Sequence, residues 1–211
     1  MAAFAGLGVD NAIVDIDGGE APILDGSSLP VVEAINRTGI IQLAARRRVL
    51  VVTSPVSIEH AGGWAKIEPC NGLEIDAEID FSDPAIGRQR FHYRHGNGSF
   101  VRDLAAARTF CMMRDVAAMQ NAGLALGGSL NNAVVVDNGA ILNEGGLRME
   151  HEFVRHKILD CLGDIYLLGM MVRGKMTASR PGHAMCAKLI TTLWNSPVSY
   201  THLRAHETRT H

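Results

Sequence analysis

In the stretch HEFVRHKILD, residues 151–160, His156 and Asp160 stand four residues apart. On a helix that spacing projects an imidazole and a carboxylate from one face, where both could ligate one metal ion. Asp164 falls at the next such step, and a Gly182-His183 pair follows one connection later. A hydrolytic zinc site takes three protein ligands and leaves its fourth position to a water whose pKa falls to about 7. With zinc on His156 and Asp160, Asp164 would orient His183 and favour its protonated form. A cationic imidazole beside the metal would stabilise an oxyanion and protonate a leaving amine. The plain alternative is a polar stripe facing solvent, which this spacing alone favours. Against it, the stripe is embedded in an otherwise apolar helix with Lys157 at its flank. His151 lies five residues before His156, about 140° around the helix, and cannot share that metal.

The elements that must position these groups show as periodicities. Val154, Ile158, Leu162 and Ile165 form the apolar stripe of a helix over 150–169, and a second helix is expected from Gly182 to Trp194. Near the start, a strand is expected at 11–16, then a helix capped by Asp25 or Ser27 with Pro30 in its first turn. Arg46–Arg48 precede a β-branched strand at 49–53 and mark a boundary between two units. Residues 64–81 alternate around Asn71-Gly72 and predict a hairpin, as do residues 131–142 around Asn138-Gly139. Residues 100–122 have helical spacing with a break at Thr109 to Cys111. The last sixteen residues, SPVSYTHLRAHETRTH, hold three histidines without a carboxylate or thiol at ligand spacing, and are expected to be unstructured.

Composition excludes several function classes. The 211 residues carry a net charge of −2 and no basic-aromatic stretch, which argues against nucleic acid and against an RNA-binding α/β domain. Four dispersed cysteines without a CxxC pair fit reduced thiols in a cytosolic protein. The longest apolar run, residues 165–172, falls far short of the roughly 20 needed to span a bilayer. No basic n-region with an apolar h-region opens the chain, so no secretory signal is expected. GLGVDN, residues 6–11, lacks the third glycine of a dinucleotide loop and precedes a strand pattern.

Seven stretches, taken together, carry a family resemblance. AGLGVDN, PILDGSS, IDFSDPAIG, ARTFCMMRD, GLALGGSLNNAVVVDN, LNEGGLRMEHEFVRHKILDCLGD and GHAMCAKL run in one order over residues 4–194. The chain resembles the UDP-3-O-acyl-N-acetylglucosamine deacetylases of lipid A biosynthesis in Gram-negative bacteria. The resemblance implies an α+β fold of two similar two-layer α/β sandwich domains with the site between them. Residues 1–45 would be the remaining part of the first domain and 46–196 the second. Within the second, 111–137 would be a βαβ insert forming an acyl passage, leaving 197–211 as an out-of-family tail. By position, His156 and Asp160 look like zinc ligands, His183 and Asp164 like the catalytic imidazole and its partner, and Thr109 like the group that contacts the reacting carbonyl. Phe110 resembles the residue packing on the sugar, Lys157 the one near the diphosphate, and Phe81 the one near the uridine. Met113, Val116, Ala125 and Val135 would line the passage, with Gly128 and Ser129 allowing close approach.

The implied reaction is cytoplasmic hydrolysis of the acetamide of UDP-3-O-acyl-N-acetylglucosamine, with Zn2+ as cofactor, by a monomer not inserted in the membrane. The family also has a Glu-His pair a few residues before the segment matching AGLGVDN: a general base and the third zinc ligand. Counted back from Ala5, both fall upstream of Met1. The chain is therefore expected to be a fragment of impaired activity, the base alone being worth about 10²–10⁴ in rate. The alternative is a non-catalytic fragment that binds acyl chains or the nucleotide-sugar.

Overall fold

The computed structural model describes residues 1–121, 123 and 126–205. Two helices come first, α1 (Ala2–Leu7) and α2 (Leu29–Thr38). Five strands follow: β1 (Arg47–Val52), β2 (Val56–His60), β3 (Gly63–Glu68), β4 (Leu73–Asp80) and β5 (Arg88–Arg94). Next come α3 (Ser99–Asp103), β6 (Phe110–Met112), α4 (Met113–Asn121), β7 (Val134–Asp137) and β8 (Ala140–Ile141). The chain then forms α5 (Glu152–Ile165), β9 (Met171–Ser179), α6 (His183–Trp194) and β10 (Tyr200–Ala205). Sheets packed against helices make this an α+β fold, as the family resemblance implies. Among the described residues, no helix is long and apolar enough to cross a membrane.

β9 is the organising strand of the seven-stranded sheet. β4 runs parallel along one side of it, while β1 (parallel) and β3 (antiparallel) pair with successive parts of it. Alternation sets the faces. Val172, Met176 and Ala178 of β9, with Leu73, Ile75, Ala77 and Ile79 of β4, are buried in the core with α5 and α6. Glu74 and Asp76 alternate with those apolar residues along β4 and pair with Arg94, His92 and Arg90 of β5. A Cβ on Gly174 would meet Val52 Cγ2 at 2.8 Å and the Glu68 carbonyl oxygen at 3.2 Å, so glycine is required where β1 and β3 converge on β9.

Several expectations change. Asn71-Gly72 does not join a hairpin: β3 and β4 do not pair with each other, because β9 lies between them. The hairpins are instead β2–β3, turning at Ala61-Gly62, and β4–β5. Residues 11–16 are exposed and form no strand, since no neighbour pairs with them. The break at Thr109 to Cys111 is β6, which pairs in parallel with β7 after the α4 crossover. Residues 110–137 thus form a βαβ unit. The tail is not wholly unstructured, for Tyr200–Ala205 pairs antiparallel with β1 as β10. The expected Asn138-Gly139 hairpin is present, with both residues at positive φ.

Candidate active site

The site is carried by α5, by the start of α6 and by the segment entering β6. In α5, Val154, Ile158, Leu162 and Ile165 are buried as expected and fix the helix against the sheet. That leaves His156, Asp160 and Asp164 at successive turns of another face. His156 is itself buried. Its Nδ1–H donates to the carbonyl of Ala107 at 2.9 Å, which leaves the Nε2 lone pair directed at Asp160 Oδ1, 3.4 Å away. Burial holds the His156 pKa below its ordinary value against the pull of Asp160, so the ring is neutral near pH 7. The second Asp160 oxygen, Oδ2, accepts a hydrogen bond from Lys157 Nζ at 3.1 Å.

One turn on, Asp164 accepts from Nδ1–H of His183 at 2.9 Å and 3.1 Å. His183 is the first residue of α6, and its side chain is 70% exposed. The Asp164 carboxylate therefore fixes the ring while Nε2 remains accessible. This is the arrangement of an imidazole that can move a proton at Nε2.

Thr109, Phe110, Lys157 and Phe81 are also brought together. Thr109 is locked through its backbone: its N–H donates to the Gly26 carbonyl at 2.7 Å and its carbonyl accepts from Val134 N–H at 2.8 Å. Phe110 packs edge-on against Phe153 at 4.9 Å and Phe81 at 5.5 Å between centroids. Lys157 Nζ stands 5.5 Å from the centre of the Phe110 ring, within cation–π range. Phe81 is set by the turn that follows it. Asp83 accepts from Ala85 N–H and from Gly139 N–H, tying that turn to the β7–β8 hairpin.

The residues expected to line an acyl passage are less uniform. Met113 is exposed at the start of α4, Val116 is half-buried, and Val135 is buried in β7. Gly128 and Ser129 lie on an exposed turn, and Ala125 lies outside the described residues. Sequence reasoning missed the groups that build this turn. Asn143 donates to the carbonyls of Leu130 and Ala133 and accepts from Val135 N–H. It also missed Glu152, a fully buried carboxylate held by Arg108 and Arg148. A signal was present, because Glu152 extends the series of His156, Asp160 and Asp164 by one step toward the N-terminus.

Among the described residues, no group of three or more His, Cys, Asp or Glu side chains converges as a metal site. His156 and Asp160 form a two-donor pair whose protonation suits a cation. With Nδ1 donating to the Ala107 carbonyl and the ring held neutral by burial, Nε2 is free to offer its lone pair beside the Asp160 carboxylate oxygen 3.4 Å away.

Comparison with known proteins shows which family the chain is similar to. The family described as UDP-3-O-acyl N-acetylglycosamine deacetylase matches residues 1–195. A protein of Anaeromyxobacter sp. (strain Fw109-5) named UDP-3-O-acyl-N-acetylglucosamine deacetylase is 46% identical, covering 93% of this chain and 65% of the relative. Proteins of the same name from Nitrosococcus oceani and Sodalis glossinidius are each 47% identical, covering 92% and 90% of this chain and 64% and 63% of their own lengths. The chain thus spans slightly under two thirds of the length of these curated relatives. With α5, the β6 segment and α6 all inside the matched region, this chain belongs to the UDP-3-O-acyl N-acetylglycosamine deacetylase family.

Proposed function

We propose that the site is the hydrolytic centre of a zinc-dependent deacetylase. It would cleave the acetamide of UDP-3-O-acyl-N-acetylglucosamine to acetate and a glucosamine amine, a cytoplasmic step of lipid A biosynthesis in Gram-negative bacteria. The substrate follows from the names of the relatives. The observation that carries the chemistry is the His156–Asp160 pair, in which Nδ1 is committed to the Ala107 carbonyl at 2.9 Å and Nε2 stands 3.4 Å from Asp160 Oδ1. Two electron-rich atoms so placed repel unless a cation lies between them, and imidazole with carboxylate is a zinc donor set. Bound by His156 and Asp160, zinc would supply Lewis-acid polarisation of the acetamide carbonyl and acidify an adjacent water.

The remaining chemistry is assigned to the chain's own side chains. The Thr109 hydroxyl donates to the oxygen that gains charge as the carbonyl is attacked. His183 gives its Nε2 proton to the departing nitrogen, and Asp164 steadies the imidazolium through Nδ1–H. Lys157 offers positive charge to the diphosphate, Phe110 packs on the sugar, and Phe81 lies by the uridine. Met113, Val116, Ala125, Gly128, Ser129 and Val135 border the path of the acyl chain.

The described residues provide two zinc donors, fewer than the three protein ligands of catalytic sites. The 211-residue chain is therefore expected to bind zinc weakly and to release little acetate. Calorimetric zinc titration of the chain and of H156A and D160A tests the ligands, and both variants are expected to lose the binding heat. Unchanged affinity in both variants overturns the metal assignment. Robust acetate release from the UDP-sugar by the unaltered chain overturns the expected impairment and leaves the ligand assignment standing.

A further inference from the structure

Glu152 is the first residue of α5, one helical turn before His156, and is fully buried. Its Oε1 accepts from the backbone N–H of Arg108 at 3.0 Å and from Arg108 Nε at 2.8 Å. Its Oε2 accepts from Arg108 Nη2 at 3.1 Å and from the backbone N–H of Arg148 at 2.7 Å. Arg108 Nη2 also donates to the Gly146 carbonyl at 2.8 Å. The carboxylate thus receives four hydrogen bonds in the interior, enough to hold its charge and its position there.

The Arg108 N–H and the Ala107 carbonyl belong to one peptide group. Glu152 grips that peptide by its N–H, while His156 donates its Nδ1 proton to the carbonyl at 2.9 Å. In a trans peptide the N–H and C=O point in opposite directions from a rigid plane. Two residues one turn apart on α5 therefore clamp both ends of the same plane. If the plane turned, the His156 ring would lose its acceptor and the Nδ1–H tautomer would lose its preference.

The geometry assigns Glu152 as a positioning residue that acts through the Ala107–Arg108 peptide to fix the tautomer and orientation of His156. Nothing in the site requires Glu152 to touch substrate or metal. The same clamp sets Thr109, the next residue along, so the ring and the hydroxyl are registered to each other by one carboxylate. A buried ion pair that merely ties a loop to a helix would not need the backbone N–H of Arg108 as a partner. This role deepens the zinc reading, but its decisive readout needs no metal.

That readout is the 15N spectrum of the His156 ring in the metal-free 211-residue chain at neutral pH. The unaltered chain is expected to show one neutral tautomer with the proton on Nδ1, and a mixture of tautomers overturns the assignment outright. In E152M/R108M the buried pair is replaced by apolar groups of similar length, an exchange that is often neutral for stability. The expected outcome is a folded chain in which the Nδ1–H tautomer loses dominance and zinc binds about 10–100-fold more weakly. A folded double variant that keeps the tautomer overturns the proposal and reduces the pair to a structural tie. If the double variant fails to fold, E152D decides, since it keeps the charge but shortens the reach by one methylene. Partial loss of the tautomer in E152D supports the clamp, and an unchanged ring in E152D overturns it. Absence of zinc binding by the unaltered chain, with its Nδ1–H tautomer dominant, would count against the metal reading alone.

Discussion

Glu152 stands under two opposed forces. Burial pushes its pKa up, while hydrogen bonds from the Arg108 side chain and from the backbone N–H groups of Arg108 and Arg148 bring it below the ordinary value of 4.5. A carboxylate with a lowered folded pKa stabilises the fold fully above its unfolded value and loses that contribution as the pH falls through the folded value. His156 acts in the same sense at higher pH, because burial lowers its pKa from 6.5 and the fold holds the ring neutral. The expected outcome is stability, measured by urea denaturation, that falls in two steps on acidification: first below about pH 6.5, then below about pH 4.5. E152A should cost about 3–5 kcal/mol at pH 7 by leaving Arg108 unpaired. In E152Q, which carries no charge at any pH, the second step should shrink to the part carried by Asp25, Glu74 and Asp76, whose pKa values are also lowered, and a step of unchanged size would show that Glu152 does not contribute to it. His156 and Asp160 were legible in the sequence because both lie on one helix, where spacing fixes the face. Glu152 lies on the same helical series, but its role was not legible, because its partner Arg108 is 44 residues away and only tertiary structure brings the two together.

The elements repeat that contrast between local and distant information. α5 followed from its apolar stripe, and the β7–β8 hairpin from Asn138-Gly139, since each signal lies within one segment. The Asn71-Gly72 hairpin failed because β9, 100 residues further on, takes the place between β3 and β4. The placement of Thr109 depends on a similar distant contact. Gly26 sits at φ +81, and a Cβ there would lie 2.1 Å from the Asn132 carbonyl oxygen and 3.2 Å from Thr109 Cγ2. Thr109 N–H donates to the carbonyl of this same glycine. G26A should therefore cost at least about 1–3 kcal/mol from left-handed backbone strain, more with the clash, and should displace the loop from β6. Chemical denaturation gives the cost, and amide exchange at Thr109 reports the displacement. An unchanged stability with full protection at Thr109 would show that the loop yields without disturbing the site.

On the scale of the whole molecule, the two sides of the chain differ in how their apolar residues are covered. Leu50, Ile75, Ile79, Phe153, Ile158 and Met176 are sealed between the sheet and α5 with α6. Around α1 and α2, by contrast, Ile13 is 92% exposed and Ile41 86%, and Val14, Ile16, Ile40 and Leu43 are exposed beside them in sequence. Several large apolar side chains exposed within two short segments favour association between molecules. The chain is expected to self-associate at micromolar concentrations, a tendency that rises with temperature as hydrophobic attraction strengthens. Because Ile13 and Ile41 contribute little to the core, I13K/I41K should change unfolding stability by no more than about 0.5 kcal/mol per site. The added charges should nonetheless reduce association strongly, shifting sedimentation velocity profiles toward a single 22.7 kDa species. If both segments pack on the rest of the molecule in solution, the lysines will instead lower stability and leave association unchanged, and the apolar surface would have to be sought elsewhere.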